Sequence, residues 1–502
     1  MSMRKKIQKK FRNRCCSLKL DALNSILAFT DQFPNDHEGE AIDLLLDHLD
    51  MENNNISVVD AESVQGVINL LLGANDVTEE PVASSLAVID SFLVPKYRYD
   101  SVNKKFIEDT SSLSVHGKAS SKIELYRDRF ISLLQRVSRS EFFSRPAFVD
   151  GEIENYEISP IQSLNFEMGR KWVMGVISQL EDGHFYLEDL SASYFSLTVK
   201  YRISPGFFTE NTIILAEGEM HGGIFQVVAC EFPPLEKDRD KTQRETHFGK
   251  DIERQPVDET FVILSDIWLD DEEVLEKLEK VLNDFESGEI VPSLFVFMGN
   301  FFSPSSCNLS FASFRKQFGK LGRMIGNHPR LKESSRFLFI PGPDDAGPST
   351  VLPRCGLPNY LTEELRDVIP NAIFPSNPCR VKFDGQEIVF FRKDLLYQMR
   401  RSCLIAPSDK DPFEHLAHTI THQSHLCPLP LMVQPIIWNY DYSLRLYPTP
   451  PHTIVLGDMS EQKTFKVGGT TCFNPGSFST DSTFVAYRPS TQEVKLKKIK
   501  EE

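Results

Sequence analysis

The apolar residues of segment 261–302 form two unbroken runs with one helical stripe between them. Residues 261–264 (FVIL) and 294–298 (LFVFM) are apolar at every position, which is typical of strands buried on both faces of a parallel sheet. The stripe between them has helical spacing and consists of Val274, Leu275, Leu278, Val281, Leu282 and Phe285. Asp270 or Asp271 can cap this helix. The pattern therefore predicts a strand–helix–strand unit.

Each predicted strand of this kind ends at a polar residue. Asp266 follows the first strand and Asn300 follows the second. The apolar runs 336–340 and 453–456 likewise lead into polar segments of the chain. Since ligands of parallel α/β sheets bind at the carboxyl ends of strands, these positions are the candidate functional site.

The first 72 residues show a different pattern, in which apolar residues recur at helical spacing between turn-rich breaks at residues 34–36 and 53–55. The apolar positions are Leu18, Leu20, Leu23, Ile26, Leu27, Ile42, Leu45, Leu46, Leu49, Val64, Val67, Ile68 and Leu71. This pattern predicts an N-terminal helical domain over residues 1–75.

Residues 74–85 are acidic and polar, and a helical pattern returns near residues 126–131. These features predict a linker and a connector helix over residues 76–165. The helix carries a row of arginines that could contact nucleic acid, although a solvated helix face is the simpler interpretation. The row consists of Arg127, Arg129, Arg136 and Arg139.

Residues 172–234 change to short strands separated by turn residues. The dipeptides Asp182-Gly183 and Gly222-Gly223 suit tight hairpin turns. Five strands of this length predict a Greek-key barrel of the OB type. The predicted boundaries are 166–235 for the barrel, 236–258 for a charged linker and 259–502 for the strand–helix domain. The fold class is therefore a multidomain α+β protein.

Composition narrows the possible functions. The chain has 502 residues, too many for one core, and its formal net charge of −16 argues against a protein that mainly coats nucleic acid. No apolar run approaches the ~18–20 residues of a membrane span, so no membrane partner is expected. The nine cysteines include no C-x-x-C pair, which indicates a reducing compartment and neither a zinc ribbon nor a disulfide framework.

Two regional charge features leave alternatives open. The first fourteen residues are basic without an apolar core, so they suit a nuclear address, a transit peptide or the solvated start of a helix, and not a secretory signal. The barrel segment has more acidic than basic residues, including Glu217 and Glu219. Single-strand binding calls for a basic groove with stacking aromatics, so protein docking is the better interpretation of this barrel.

The order of polar strand ends resembles the calcineurin-like metallophosphoesterases. That family builds a two-metal centre from D-x-H, G-D-x-x-D, G-N-H-D/E, an isolated His and G-H-x-H motifs, which supply bridging carboxylates and imidazoles. Asp266 matches the first Asp, but Trp268 stands in the place of the motif's His. Asn300 stands where the bridging carboxylate should be.

The remaining motifs are also altered. Residues 342–345 (GPDD) occupy the G-N-H-D place, so Pro343 replaces the Asn ligand and Asp344 replaces the His. Residues 457–460 (GDMS) occupy the G-H-x-H place, so Asp458 and Ser460 replace both imidazoles. The resemblance therefore implies an α/β sandwich that lacks its metal site and catalyses no hydrolysis.

Few candidate metal ligands remain. Asp266 and His425 are the only family positions at which this chain retains a possible ligand. One alternative is an active phosphoesterase with atypical ligands, for example one Mg²⁺ bound by Asp266, Asp344 and Asp345. Turn-capping carboxylates explain Asp344 and Asp345 more simply. The prediction is a protein without a catalytic residue, metal or cofactor.

An OB barrel followed by an altered phosphoesterase domain resembles the B subunits of the replicative DNA polymerases, and within them those of DNA polymerase epsilon. The segments that carry this resemblance are FVILSDIWLD, RFLFIPGPDDAG, VLPRCGLP, SNPCRV, SHLCPLPL, WNYDYSLRLYP and FNPGSF. The resemblance implies a nuclear, non-catalytic accessory subunit that docks on the zinc-binding C-terminal region of the catalytic subunit. It also implies that the N-terminal region connects the polymerase to the replicative helicase, and that DNA is reached through the complex.

Residues 428–451 are the sharpest candidate for a protein interface outside the barrel. Tyr440, Tyr442 and Tyr447 alternate there with prolines and with Trp438, and aromatic residues with polar tips are favoured at interfaces. Burial of Trp438 and of these tyrosines in the domain core is the alternative. A single-strand DNA-binding barrel protein and an active phosphoesterase remain the alternative functions.

Overall fold

The computed structural model divides the chain into two units, Met1–Ser84 and Ser85–Glu502. In the first unit it describes residues 17–30 and 58–59 and the positions 4, 7, 10, 11, 45 and 64. In the second it describes residues 86–499 apart from 112, 144–156, 166–168, 182, 192–193, 237–258, 306–309, 348–350, 406 and 408–409. The acidic segment 74–85 and residues 237–258 of the predicted linker therefore lie outside the described residues.

The first unit contains one described helix and one strand pair. Helix α1 (Leu20–Thr30) buries Ala22, Leu23, Ile26 and Phe29 at helical spacing, as its apolar pattern predicts. Strand β1 (Ser17–Leu18) pairs in parallel with β2 (Val58–Val59). Leu18, predicted to be helical, is therefore in a strand, because backbone pairing with a distant segment takes precedence over the local apolar spacing.

Residues 86–139 form more structure than the predicted linker. They contain β3 (Ala87–Asp90), the hairpin β4 (Tyr97–Asp100) and β5 (Lys105–Glu108), and helix α2 (Ala119–Arg139). Strand β3 pairs antiparallel with Cys379–Phe383 and becomes the edge strand of a six-stranded sheet. The linker interpretation of this strand was wrong because Leu86 is buried and Val88 packs against the same core.

The barrel is closed, with the order β10-β11-β8-β7-β6, and confirms the prediction of an OB-type barrel. Its turn between β10 and β11 uses Gly222 and Gly223, whose φ angles of 58° and 82° are unfavourable for other residues. The strands of this region are β6 (Lys171–Glu181), β7 (His184–Glu188), β8 (Tyr194–Ile203), β9 (Phe208–Thr209), β10 (Ile213–His221) and β11 (Ile224–Glu231).

The last part of the chain is a sandwich of two six-stranded sheets with the orders β15-β14-β13-β12-β22-β23 and β20-β21-β19-β17-β16-β3. Its strands are β12 (Phe261–Ser265), β13 (Leu294–Met298), β14 (Arg336–Ile340), β15 (Ala372–Ile373), β16 (Cys379–Phe383), β17 (Gln386–Arg392), β18 (Cys403–Ile405), β19 (Thr453–Gly457), β20 (Lys463–Val467), β21 (Thr470–Asn474), β22 (Thr483–Arg488) and β23 (Glu493–Lys498). Strand β18 lies outside both sheets and pairs with β9.

Helices cover the outer faces of the sandwich. They are α3 (Glu272–Ser287), α4 (Phe311–Gly326), α5 (Pro329–Ser334), α6 (Asn359–Val368), α7 (Leu395–Arg401), α8 (Pro412–Gln423) and α9 (Phe478–Asp481). The cap of α3 is Asp271, whose carboxylate accepts from the backbone N–H groups of Glu273 and Val274. Among the residues that the structure describes, no helix is long and apolar enough to span a membrane.

The strand–helix–strand prediction is confirmed in detail. Strands β12 and β13 are parallel neighbours with Phe261 opposite Leu294, and both are buried at every position. One face of β12 and β13 packs against the helices, and the other meets the second sheet through residues such as Ile263, Val296 and Phe390. Packing on both faces explains why these strands are apolar at every position.

The barrel packs directly against the sandwich within the second unit. Phe207 is 1% exposed and belongs to the sandwich core. Its backbone N–H donates to Thr419 Oγ1 at 2.8 Å, and Gln423 Nε2 donates to the Ile213 carbonyl at 2.8 Å. The barrel and the sandwich thus share a buried, hydrogen-bonded interface.

Helix α2 strengthens this attachment. Arg129 and Arg136 were expected on a solvated face. The side chain of Arg129 is 11% exposed, and Arg136 as a whole residue is 8% exposed. Arg136 donates to Ser424 Oγ and to the His422 carbonyl, and burial lowers its pKa to about 10. The expectation was wrong for these two arginines because the helix is covered by the sandwich on that side.

Candidate functional site

Asp266 lies at the end of β12 with a φ angle of 61° and is 1% exposed. Its Oδ2 accepts hydrogen bonds from Ser477 Oγ at 2.6 Å and Ser479 Oγ at 3.1 Å. Its Oδ1 accepts from Trp268 Nε1 at 3.2 Å. Trp268, which stands in the place of the motif's His, therefore donates a hydrogen bond to Asp266, the carboxylate that matches the motif.

Asn300, at the end of β13, is held by the loop after β14. Its Nδ2 donates to Asp344 Oδ2 at 3.3 Å, and its Oδ1 accepts from the Asp344 backbone N–H at 3.0 Å. Asn300 is 6% exposed, whereas Asp344 is exposed. The amide thus joins the ends of two neighbouring strands through hydrogen bonds.

Asp345 is the buried member of the aspartate pair, with 7% exposure. Its two oxygens accept from the backbone N–H groups of Phe301 at 2.6 Å and Gly342 at 2.7 Å. Burial raises the pKa of Asp345 to about 6, although both hydrogen bonds and the nearby Arg354 and Arg392 act in the opposite direction. Because both oxygens cap backbone N–H groups, Asp345 closes a turn as the simpler interpretation expected.

Asp458 and Ser460 follow β19 and are engaged in a similar way. Asp458 accepts from the backbone N–H groups of Leu396 at 3.0 Å and Ser460 at 2.9 Å. Asn474 Nδ2 donates to the Ser460 carbonyl at 2.9 Å and to its hydroxyl at 3.2 Å. Polar side chains of the altered motifs thus cap backbone groups at the strand ends.

Arg392 lies at the centre of this site, and no sequence motif predicted it. It is the last residue of β17, and its side chain is 0% exposed. Its guanidinium donates to the carbonyls of Gly299 and Gly457, the latter at 3.1 Å, and to Asp394 Oδ1 at 2.8 Å. Its Nη2 lies 3.7 Å from Asp266 Oδ1. The sequence feature that could have indicated its role is its position directly after the apolar run 388–391, at the end of a predicted strand.

The charge of Arg392 is stabilised by its neighbours. Burial favours the neutral form, but the carboxylates of Asp394 and Asp266 outweigh this effect and raise the pKa of Arg392 above its ordinary value. A charged guanidinium therefore lies among the strand ends that form the candidate functional site.

The residues present do not suit a metal centre. Within the described ranges, no group of three or more His, Cys, Asp and Glu side chains is arranged to hold a metal ion. The oxygens of Asp345 and Asp458 are taken up by backbone N–H groups. Arg392 adds a positive charge that repels a cation. The polar side chains of this arrangement therefore bind the strand ends to one another.

His425, considered as a second ligand, belongs to a different cluster, so that expectation was wrong. Its Nδ1 accepts from the Cys427 N–H at 3.0 Å, and its Nε2 lies 3.2 Å from Asp441 Oδ1 and 2.8 Å from Arg129 Nη2. Burial lowers its pKa to about 4, so the ring is neutral. Both ring nitrogens are engaged, and neither is available to a metal beside Asp266.

The aromatic segment 428–451 lies largely against the chain itself. Tyr442 is 8% exposed, while Tyr440 and Tyr447 are half-buried. Tyr440 packs on Phe92 with ring centroids 5.0 Å apart, and Tyr447 accepts a hydrogen bond from Arg445. Trp438 is also half-buried. These contacts favour the core interpretation for Tyr442 and leave Tyr440 and Tyr447 as interface candidates.

The acidic candidates of the barrel lie on β10. Glu217 and Glu219 are half-buried, and Glu219 Oε2 lies 3.4 Å from His221 Nε2. The strand has a register shift between Glu217 and Gly218. Both carboxylates are thus accessible in part at the surface of the barrel.

Two family models match this chain. One describes the B subunit of DNA polymerases alpha and epsilon and matches residues 261–467. The other describes the OB-fold domain of proteins like DNA polymerase epsilon subunit 2 and matches residues 119–234. The matches cover most of the sandwich and the barrel with its preceding helix.

Known proteins similar to the chain carry the same description. The B subunit of DNA polymerase epsilon from Arabidopsis thaliana is 71% identical over 98% of this chain and 98% of its own length. DNA polymerase epsilon subunit 2 of Bos taurus is 31% identical over 92% of each chain, and that of Homo sapiens is 33% identical over 84% of this chain and 85% of its own. Among solved structures, an archaeal phosphodiesterase overlaps 48% of this chain and 99% of its own at 13% identity, with a TM-score of 0.26.

Proposed function

As the chain belongs to the family of DNA polymerase epsilon B subunits, we propose that it serves as a non-catalytic scaffold of that polymerase in chromosomal replication. The observation that carries this proposal is that the strand ends around Arg392 are joined to one another by hydrogen bonds within the protein. Side chains that a phosphoesterase would use for metal ions are here engaged in hydrogen bonds with backbone groups and with each other. Such a site supports a folded surface and no hydrolysis.

The proposed partner surface is composite and extends over the barrel and the sandwich. Support comes from their buried interface, in which Phe207 joins the sandwich core and Gln423 bonds to both backbone groups of Ile213. A surface built from both parts has a fixed geometry, which lowers the entropic cost of binding. In our proposal the zinc-binding C-terminal region of the catalytic subunit docks across both parts.

Charge supports the same assignment. The formal net charge of −16 favours encounter with a basic partner domain and disfavours DNA as the direct ligand. In this proposal, residues 1–75 connect the complex to the replicative helicase, DNA is reached through the complex, and the protein acts in the nucleus. The separate compact unit Met1–Ser84 is consistent with a distinct role for the N-terminal region.

Co-purification from nuclear extract tests this proposal. The tagged full-length chain should retain the catalytic subunit of DNA polymerase epsilon, identified by mass spectrometry. Recovery of the folded chain without any polymerase subunit would refute the proposal.

A charge-reversed variant then tests the surface. Glu217→Lys with Glu219→Lys should slow association and make it less dependent on salt, because rim charges act mainly on the association rate. The matched control is Glu276→Lys with Glu279→Lys, which makes the same change of charge on the exposed face of α3. Equal effects of the two double variants would place the interface elsewhere.

A further inference from the structure

One guanidinium contacts the carboxyl ends of both sheets of the sandwich. From β17, Arg392 reaches the Gly299 carbonyl and Asp266, which follow β13 and β12 of the first sheet. It also donates to the carbonyl of Gly457, the last residue of β19 in the second sheet. Asp394, two residues after Arg392, completes the set of four oxygen-bearing neighbours.

The backbone of Arg392 extends this connection to β14. Asn377 Oδ1 accepts from the Arg392 N–H at 3.0 Å, and Asn377 Nδ2 donates to the Arg392 carbonyl at 2.7 Å. The same Nδ2 donates to the Pro341 carbonyl at 2.9 Å, directly after β14. Arg392 is thus fixed at both its backbone and its guanidinium.

The surrounding backbone leaves room for this one side chain and little else. A Cβ at Gly457 would lie 2.9 Å from Arg392 Cδ and 2.8 Å from Ser265 Oγ. A Cβ at Gly299 would lie 2.0 Å from Asp345 Oδ2. Gly457 is therefore required for the close approach of its strand end to the arginine, and Gly299 for the close approach of Asp345.

We propose that Arg392 is an internal replacement for divalent cations: its guanidinium supplies the positive charge that holds the carboxyl ends of the two sheets together, and its presence excludes a metal ion. Four oxygens surround it, namely two carbonyls and the carboxylates of Asp266 and Asp394. Hard divalent cations prefer this kind of donor set. Removal of the guanidinium therefore converts the centre into an oxygen-lined cavity with uncompensated negative charge. The inference concerns the folded chain and is independent of its proposed partner.

Comparison with another buried arginine shows what is specific to Arg392. Arg380 is 8% exposed, donates to Glu387 and bonds to the carbonyls of Ser443 and Arg445. It thus has one carboxylate and lies outside the group of strand ends that would form the metal centre. Arg380 is the matched control for loss of a buried arginine.

The first measurement compares the unfolding temperature of Arg392→Lys, Arg392→Met and the unmodified full-length chain. Arg392→Met should lower the unfolding temperature by on the order of 5 °C or more, because it leaves the buried carboxylate of Asp266 and the partly exposed one of Asp394 without this cation. Arg392→Lys keeps the charge and should recover a substantial part of that loss. Equal losses for the two variants would overturn the proposal, since charge would then be irrelevant.

The second measurement adds calcium to Arg392→Ala and to Arg380→Ala. Millimolar calcium chloride should raise the unfolding temperature of Arg392→Ala by binding the folded state only, and should leave Arg380→Ala and the unmodified chain unchanged. Magnesium chloride at the same ionic strength serves as a second divalent probe, and sodium chloride controls for screening.

Three results would overturn the proposal. One is an Arg392→Ala protein as stable as the unmodified chain. Another is an equal response of Arg392→Ala and Arg380→Ala to calcium, including no response in either. The last is stoichiometric binding of a divalent ion by the unmodified chain that is lost in Asp266→Ala, which would place a metal beside the guanidinium.

Discussion

Arg129 of helix α2 forms an ion pair with Asp441, 312 positions later in the sandwich. Asp441 is 1% exposed and also accepts from Arg445 Nε at 2.8 Å. Although burial acts in the opposite direction, Arg129 and Arg445 hold the pKa of Asp441 well below its usual range. The helix expected as a connector is therefore attached to the sandwich through a buried carboxylate.

Removing this carboxylate should be costly. Asp441→Asn should lower the free energy of unfolding by roughly 3–5 kcal/mol, because it removes the buried carboxylate that Arg129 and the buried Arg445 share, and leaves Arg445 only the longer contact with Asp128. Denaturant unfolding of the full-length chain measures the loss. The control is Glu273→Gln, which removes an exposed ion pair with Lys277 on α3 and should cost below about 1 kcal/mol. Similar losses in the two variants would mean that Asp441 does not organise the helix attachment.

Asp345 should give the stability a dependence on pH. Its pKa of about 6 in the folded state exceeds its ordinary value of 3.8, so the folded protein retains a proton that the unfolded chain releases at lower pH. The contribution of Asp345 to stability is therefore fully present below pH 3.8 and is lost as pH rises toward 6. By linkage this loss amounts to about 3 kcal/mol.

Asp345→Asn isolates that contribution. The stability of the unmodified chain relative to the variant should fall between about pH 4 and pH 6 and stay constant above. Asp344→Asn, at the exposed neighbouring position, corrects for the change of net charge. A difference that rises with pH in this window would show a lowered pKa for Asp345 instead.

Asp266 should act in folding and not in chemistry. The purified chain should hydrolyse neither a phosphomonoester nor a phosphodiester in the presence of manganese, since the strand ends hold a guanidinium in place of ligands. Asp266→Ala should cost about 1–3 kcal/mol, because it leaves the buried Ser477 hydroxyl and the partly buried donors of Ser479 and Trp268 without their acceptor. Asp266→Asn keeps an acceptor oxygen and should cost less. Turnover that disappears in Asp266→Ala would identify a phosphoesterase.

Gln423 provides a test of the composite surface. Gln423→Ala removes the acceptor of the Ile213 N–H and the donor to the Ile213 carbonyl, and should cost roughly 2–4 kcal/mol in stability. If the partner docks across both parts, the variant should also bind the catalytic subunit more weakly. Gln317→Ala, on α4, is the control. Capture of the catalytic subunit by the isolated barrel as tightly as by the full chain would contradict a composite surface.

Local periodicity in the sequence was sufficient to predict several elements of the fold. Unbroken apolar runs predicted β12 and β13, because packing on both faces demands apolar residues at every position. Helical spacing and a capping carboxylate predicted α3, and paired glycines predicted the turn between β10 and β11. The motif comparison also identified Asp266, Asn300, Asp345 and Asp458 as strand-end residues, and the structure brings Asn300 and Asp345 beside the same loop.

The contacts of buried charged residues with distant parts of the chain could not be predicted from the sequence pattern. Arg392 lies 93 positions after Gly299 and 65 positions before Gly457, and no periodic pattern links them. The same applies to Arg129 with Asp441 and to β3 with Cys379–Phe383. A charged residue looks solvated in a sequence because burial of a charge is unfavourable unless a partner is present. That partner becomes visible only when the fold brings the two residues together.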